Sequence, residues 1–163
     1  MDLEKVIAAD YCRVLKETSK TEAIIELAGG LEGFSGPQVN GDILDVEELK
    51  KELFYREQLM STGLSLGLAV PHVRFKGVKN PVVVAGVQPE GIKDYESMDG
   101  SPITIIIMIL AGENQHKEHI RLLSMIAAKL KDQELRDSLV AAKSGQEIYD
   151  LLTGRAGENA EAH

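Results

Sequence analysis

Ile103-Thr104-Ile105-Ile106-Ile107-Met108-Ile109-Leu110-Ala111 is the longest strongly apolar run in the chain, and the fold class follows from what it can be. A helix needs about 20 apolar residues to cross a bilayer, so this run is too short to span one. Five isoleucines favour an extended chain, and apolar residues at consecutive positions mark a strand buried on both faces. Such a strand needs covering layers on either side. The remaining segments supply them, which makes the chain a layered α/β domain. Strand order is not legible at this level.

Working outward, Gln115–Leu130 has helical spacing, with Ile120, Leu123, Ile126, Ala127 and Leu130 expected on its inward face. Asp132–Ala142 reads as a second helix. Ser144-x-x-Glu147 caps a third, short one through Leu152. On the N-terminal side, Pro81–Val87 is a Val-rich strand, joined to the central one by a polar connection over Gly91–Pro102. Earlier still, Asp45-x-x-Glu48 opens a helix with Val46, Leu49, Leu53 and Leu59 expected inward. Ser19-x-x-Glu22 opens another, with Ala23, Ile24, Leu27 and Leu31 at helical spacing and a stop at Gly29-Gly30 or Gly33. Tyr11–Leu15 reads as a short strand, and Phe34–Gly41, with its Gly, Pro and Asn, as a loop. Residues 1–153 are expected to form one domain, and 154–163 a frayed polar tail.

The 163 residues carry 18 Lys and Arg against 26 Asp and Glu, a formal charge of −8. One domain of this length buries a sizeable core. The acidity argues against sequence-blind nucleic-acid binding, which needs a basic face, and suits a basic protein partner. A lone Cys12 makes neither an internal disulfide nor a cysteine-based zinc cluster, and reads as a small core residue. Met1-Asp2-Leu3-Glu4-Lys5 lacks the basic start and apolar core of a signal peptide. The expectation is a cytoplasmic protein without direct membrane insertion.

Reactive side chains concentrate in and beside Ser61-Thr62-Gly63-Leu64-Ser65-Leu66-Gly67-Leu68-Ala69-Val70-Pro71-His72. The glycines permit turns and close approach. Pro71 biases Val70 towards an extended conformation. Leu66–Val70 is then a strand that delivers His72 to a loop at its end, where a rigid scaffold can present it; the plain alternative is a turn containing a histidine. Ser61, Thr62 and Gly63 offer hydroxyls and amides to an anion. Arg56, at the end of the preceding helix, suits a bidentate phosphate contact, or pairs with Glu52 or Glu57 on the surface. His116 and His119 fall on neighbouring helical faces, but His116-Lys117-Glu118-His119 is not the His-Glu-x-x-His of zinc proteases. No carboxylate is marked out as a further ligand. Neither a metal nor a cofactor is expected, and no nucleotide P-loop is present.

Together, Arg56-Glu57, Ser61-Thr62-Gly63 and Gly67-Leu68-Ala69-Val70-Pro71-His72 resemble the signature of the enzyme IIA domains of the fructose–mannitol type, in the phosphoenolpyruvate-dependent sugar phosphotransferase system. Glu118-His119-Ile120-x-x-Leu123 resembles that family's second histidine at the head of a helix. The Ser19 and Ser144 helix starts are similar too. The resemblance covers roughly Asp2–Leu152.

It implies a mixed sheet flanked by helices and a phosphoryl carrier. His72 would accept the group from the histidine-containing phosphocarrier protein and pass it to an enzyme IIB. Arg56 would steady the phosphoryl charge, and His119 would hydrogen-bond it or hold His72. The chain departs from the pattern at Ser65-Leu66, where Gly-Asn is common, and at Val73, where a small residue is frequent. It is expected to act as a free-standing IIA protein. Two functional readings follow: a sugar-transport carrier, or a nitrogen-related regulatory IIA that acts on a protein target according to its phosphorylation state.

Overall fold

The computed structural model describes residues 3–33 and 43–154. The Phe34–Gly41 loop and the tail beyond Gly154, with His163, lie outside them. Five strands form one sheet: β1 Cys12–Val14, β2 Leu68–Ala69, β3 His72–Arg74, β4 Val82–Ile92 and β5 Ile103–Ala111. Among the described residues, five α-helices cover it: α1 Lys20–Gly29, α2 Val46–Leu59, α3 His116–Lys129, α4 Gln133–Val140 and α5 Gly145–Thr153. Short 3₁₀ turns at Leu3–Lys5 and Ala9–Tyr11 lead into β1.

The sheet runs β1-β4-β5-β2, and β3 also pairs with β5. It is mixed, as expected: β4 is antiparallel to β5, while β2 and β3 run parallel to β5, and β1 parallel to β4. From Ile105 onward, β5 alternates between two cores with the period of a strand. Ile106, Met108 and Leu110 pack on the side of α1 and α2, with Ile24, Leu27, Leu49 and Leu53. Ile105, Ile107 and Ile109 pack on the side of α3, α4 and α5, with Leu122, Ile126, Leu139 and Ile148. Both faces are buried, so the strand alternates in partner rather than in polarity.

The three expected capping residues are in place, and Asp132 adds a fourth. Ser19, Asp45 and Ser144 accept hydrogen bonds from the amides of Glu22, Glu48 and Glu147, and Asp132 accepts from Glu134 and Leu135. Each satisfies an amide that the first helical turn leaves without a partner.

Three expectations need correction. β4 extends to Ile92, beyond the expected end at Val87: after a register shift Ile92 pairs with Ile103, so the connection to β5 is shorter than Gly91–Pro102. Leu59 is 65% exposed and Ile120 50% exposed, so neither is core. The inward face of α3 is instead His119, Leu122 and Ile126, continued by Leu130. Finally, Leu66–Val70 is not one strand. Leu66 lies at a φ of 65°, in the left-handed region, and β2 keeps only Leu68 and Ala69.

Candidate functional site

Pro71 decides how His72 is presented. Leu68 pairs with Ile105 and Ala69 with Ile106; beyond the proline, His72 pairs with Ile109 and Val73 with Leu110. The register is unchanged across the break. A proline has no amide hydrogen, so it interrupts the ladder without diverting the chain; its carbonyl still accepts from the Ile109 amide. His72 is therefore the first residue of an edge strand, not a loop residue, which corrects the expected placement. Strand alternation buries Val73 in the core and sends His72 and Arg74 the other way.

Beyond this edge, the end of α2 and the start of α3 approach each other. The cleft between them has a volume of about 650 Å³, and Arg56, His72, Arg74, His116 and His119 supply its basic and imidazole groups. Glu52 and Glu113 line it as well, with Tyr55, Leu59 and Ile120 as apolar wall. The structure thus brings together the three residues expected to carry chemistry. Arg56 Nη2 lies 3.5 Å from His72 Nε2, and Arg56 Nη1 donates to the Met60 carbonyl at 3.2 Å. The guanidinium is held by the end of its own helix. The His72 and His119 rings meet edge to face, with centroids 4.8 Å apart and planes at 79°.

The His72 ring is oriented by its own strand. Nδ1 lies 2.7 Å from the Val70 carbonyl oxygen. A carbonyl only accepts, so Nδ1 carries the hydrogen and Nε2, facing Arg56, holds the free lone pair. Burial lowers the pKa of His72, and Arg56 lowers it further; the bond to Val70 and the charge of Glu57 act in the opposite direction. The net effect favours neutral imidazole, the nucleophilic form.

His119 is more strongly affected. Burial, followed by the nearby His72, Arg74, His116 and Arg56, lowers its pKa from 6.5 to about 4. Its Nε2 is buried with no hydrogen-bond partner among the described residues. Protons bind the unfolded chain more readily than the folded one between about pH 6.5 and pH 4. Stability contributed by neutral His119 is therefore present above that window and lost as pH falls through it. Thermal unfolding is expected to show a lower melting temperature at pH 5 than at pH 7, with a smaller drop in His119→Gln. An equal drop in both proteins would remove His119 as the cause.

Ser61, Thr62 and Gly63 do not line this cleft. The Ser61 hydroxyl donates to the Glu96 carbonyl at 2.6 Å, and the Gly63 amide donates to Ser61 Oγ at 3.2 Å. The amide of Thr62 donates to both carboxylate oxygens of Glu57, at 3.1 and 3.0 Å. Their donors are committed to holding the chain, which corrects the expected phosphate contacts. Glu57 does not pair with Arg56; it is buried in the α2–Thr62 junction. Arg74 was overlooked, although its position two residues after His72 on a strand places both on one face. His116 also joins the cleft. Its signal was its place one turn before His119. Among the described residues, no group of three His, Cys, Asp or Glu side chains is placed to hold a metal ion.

Comparison with known proteins bears on this arrangement. Residues 7–154 match the family model described as "Phosphoenolpyruvate-dependent sugar phosphotransferase system, EIIA 2". Over 112 residues the chain is 35% identical to the PTS system fructose-specific EIIABC component of Bacillus subtilis (strain 168). That match covers 69% of this chain and 18% of the relative's length. Among solved structures, the nitrogen regulatory protein IIA-Ntr of Neisseria meningitidis superposes with a TM-score of 0.79 at 30% identity, covering 91% of this chain and 97% of that one. The enzyme IIA of the mannitol system of Escherichia coli, in complex with phosphorylated enzyme IIB, gives a TM-score of 0.65 at 26% identity, covering 94% and 97%. The mixed sheet, the cleft at its edge and the match over almost the whole described chain agree: the chain belongs to the EIIA 2 family of the phosphoenolpyruvate-dependent sugar phosphotransferase system.

Proposed function

We propose that the chain is a phosphoryl carrier that accepts the group on Nε2 of His72 and hands it to a second protein. The observation that carries this reading is the orientation of His72: Nδ1–H is fixed on the Val70 carbonyl, and Nε2 faces the Arg56 guanidinium across an open cleft. Phosphoryl transfer depends on positioning and charge stabilisation more than on covalent assistance. A neutral imidazole needs no general base to act as the nucleophile.

In the proposed step, Nε2 attacks the phosphorus of a phosphohistidine on the donor. The Nε2–P bond forms as the donor's N–P bond breaks, and the departing imidazole takes the bonding electron pair. The proton stays on Nδ1 of His72, donated to the Val70 carbonyl, throughout. Arg56 meets the charge of the transferring group, and Arg74 on the same strand face adds to the local positive field. His119, neutral at pH 7, offers the buried Nε2 as a hydrogen-bond donor to a phosphoryl oxygen, which would give that nitrogen the partner it lacks.

The donor proposed is the histidine-containing phosphocarrier protein. The solved complex of a related IIA with phosphorylated IIB supports an enzyme IIB as the recipient. The apolar wall of Tyr55, Leu59 and Ile120, exposed at the mouth, suits protein docking. A regulatory role in place of sugar transport has one observation in its favour, the TM-score of 0.79 to a nitrogen regulatory IIA against 0.65 to the mannitol IIA.

Incubation with phosphoenolpyruvate, enzyme I and the phosphocarrier is expected to label the protein at one site, stable to alkali and lost in acid. Failure to label removes the carrier reading. In Arg56→Ala the initial rate is expected to fall by about 10²-fold, the scale on which one positioned donor acts. An unchanged rate would take Arg56 out of the reaction.

A further inference from the structure

We propose that Glu57 is the positioning residue for His72, acting through a hydrogen-bonded chain that runs Glu57–Thr62–Val70–His72. The inference rests on the carrier reading for its kinetic consequence only. Its geometry is independent of that reading.

Each link is observed. The Glu57 carboxylate accepts the Thr62 amide on both oxygens, at 3.1 and 3.0 Å. The Thr62 carbonyl accepts the Val70 amide at 3.1 Å. The Val70 carbonyl accepts Nδ1–H of His72 at 2.7 Å. A displacement of Thr62 is therefore passed to Val70, and from Val70 to the ring that carries the nucleophilic nitrogen.

The anchor of this chain is built far more heavily than a helix end requires. Glu57 is only 7% exposed. Tyr95 Oη donates to Oε1 at 2.6 Å and Thr62 Oγ1 does so at 2.5 Å. Lys20 Nζ stands 3.9 Å from the same oxygen and lies over the Tyr95 ring, 4.5 Å from its centre. A buried carboxylate is costly unless its lone pairs are satisfied, and this one gathers donors from α1, from Thr62 and from the β4–β5 connection. Glu57 also adjoins Arg56 in sequence, so one anchored turn of α2 fixes the guanidinium from one side and the imidazole from the other.

Glu57 reaches His72 electrostatically as well. Arg56 and Glu57 from α2 act on the ring by charge and His119 from α3 meets it edge to face, with Arg74, Glu52, Glu113 and His116 around the same cleft. Among the charges acting on His72, Glu57 favours the protonated form and Arg56 opposes it. Removing the carboxylate charge should shift the titration of His72 to lower pH and weaken its basicity at Nε2.

The test combines two measurements on the full chain. Nitrogen NMR of the His72 imidazole is expected to show the Nδ1–H form in the wild type; the Nε2–H form there would overturn the proposal without recourse to any variant. In Glu57→Gln, the His72 titration midpoint is expected at lower pH, with a mixed tautomer population. Initial phosphoryl acceptance per folded molecule should fall roughly tenfold, the scale on which outer partners of functional histidines act. Wild-type tautomer, midpoint and rate in that variant would overturn it. If Glu57→Gln does not fold, Thr62→Ser and Tyr95→Phe, each a milder loosening of the anchor, are expected to move the same NMR signals. Unmoved signals in both would count against the chain. A wild type that shows the tautomer but accepts no phosphoryl group would sink the carrier reading and leave the positioning geometry standing.

Discussion

His72→Ala is expected to reduce phosphoryl acceptance to background while the protein stays folded. His72 sits half-buried at the start of an edge strand, with its ring in the cleft and its bond to Val70 the main contact with the scaffold. Losing one such bond costs on the order of 1 kcal/mol, a small part of a domain's stability. Its loss from the reaction is total, because the group that forms the new N–P bond is gone. His119→Ala provides the contrast. It keeps the acceptor and should still reach full labelling, at a lower rate, since His119 touches the ring edge and not the bond being made. Labelling of His72→Ala at the wild-type level would mean that another side chain is the acceptor. His119, 4.8 Å away, would be examined first.

Gly63→Ala is expected to be strongly damaging, through stability and not through phosphate binding. Gly63 lies between two backbones: it bridges Ala69 on one side and is crossed by Glu96 and Ser97 on the other. A Cβ there would overlap the Glu96 carbonyl oxygen and stand 3.0 Å from Ser97 Cα. Both neighbours are main chain, held by the Ser61 hydroxyl on Glu96 and by the Met98 amide on the Leu64 carbonyl. Neither can turn aside as a side chain would. Overpacking of this kind costs about 3 kcal/mol. In a domain of this size that corresponds to a fall of roughly 10 °C in melting temperature. Were the backbone around Gly63 able to accommodate a methyl group, the alanine variant would melt normally and differ at most in transfer. Thermal unfolding followed by circular dichroism distinguishes the two, and an unchanged melting temperature would contradict the packing account.

Gly63 also illustrates how the chain's text and its fold divide the information. The capped helix starts at Ser19, Asp45 and Ser144 were legible because a cap is a local bond between residues three apart. The two-faced burial of β5 was legible because a run of isoleucines has no other stable use at that length. His72 stood out through Pro71 and the glycines before it, and Arg56 and His119 through the resemblance that their spacing completed.

Long-range contacts were not legible, and they decided the remainder. Leu59 and Ile120 have the apolar character of core residues, yet they wall a cleft, because a helical period cannot say whether the next element closes over that face. Ser61, Thr62 and Gly63 carry groups suited to an anion, but those groups are spent within the chain: Ser61 on Glu96, Thr62 on Glu57, and the Gly63 amide on Ser61 Oγ. The motif around His72 marked the proposed acceptor from local order. Which nitrogen faces Arg56 in the cleft, and what holds the ring there, depends on Val70, Thr62 and Glu57 meeting across turns. The links of that path are short in sequence, but Tyr95, which anchors Glu57, reaches it from 38 residues away only once the sheet and α2 are assembled.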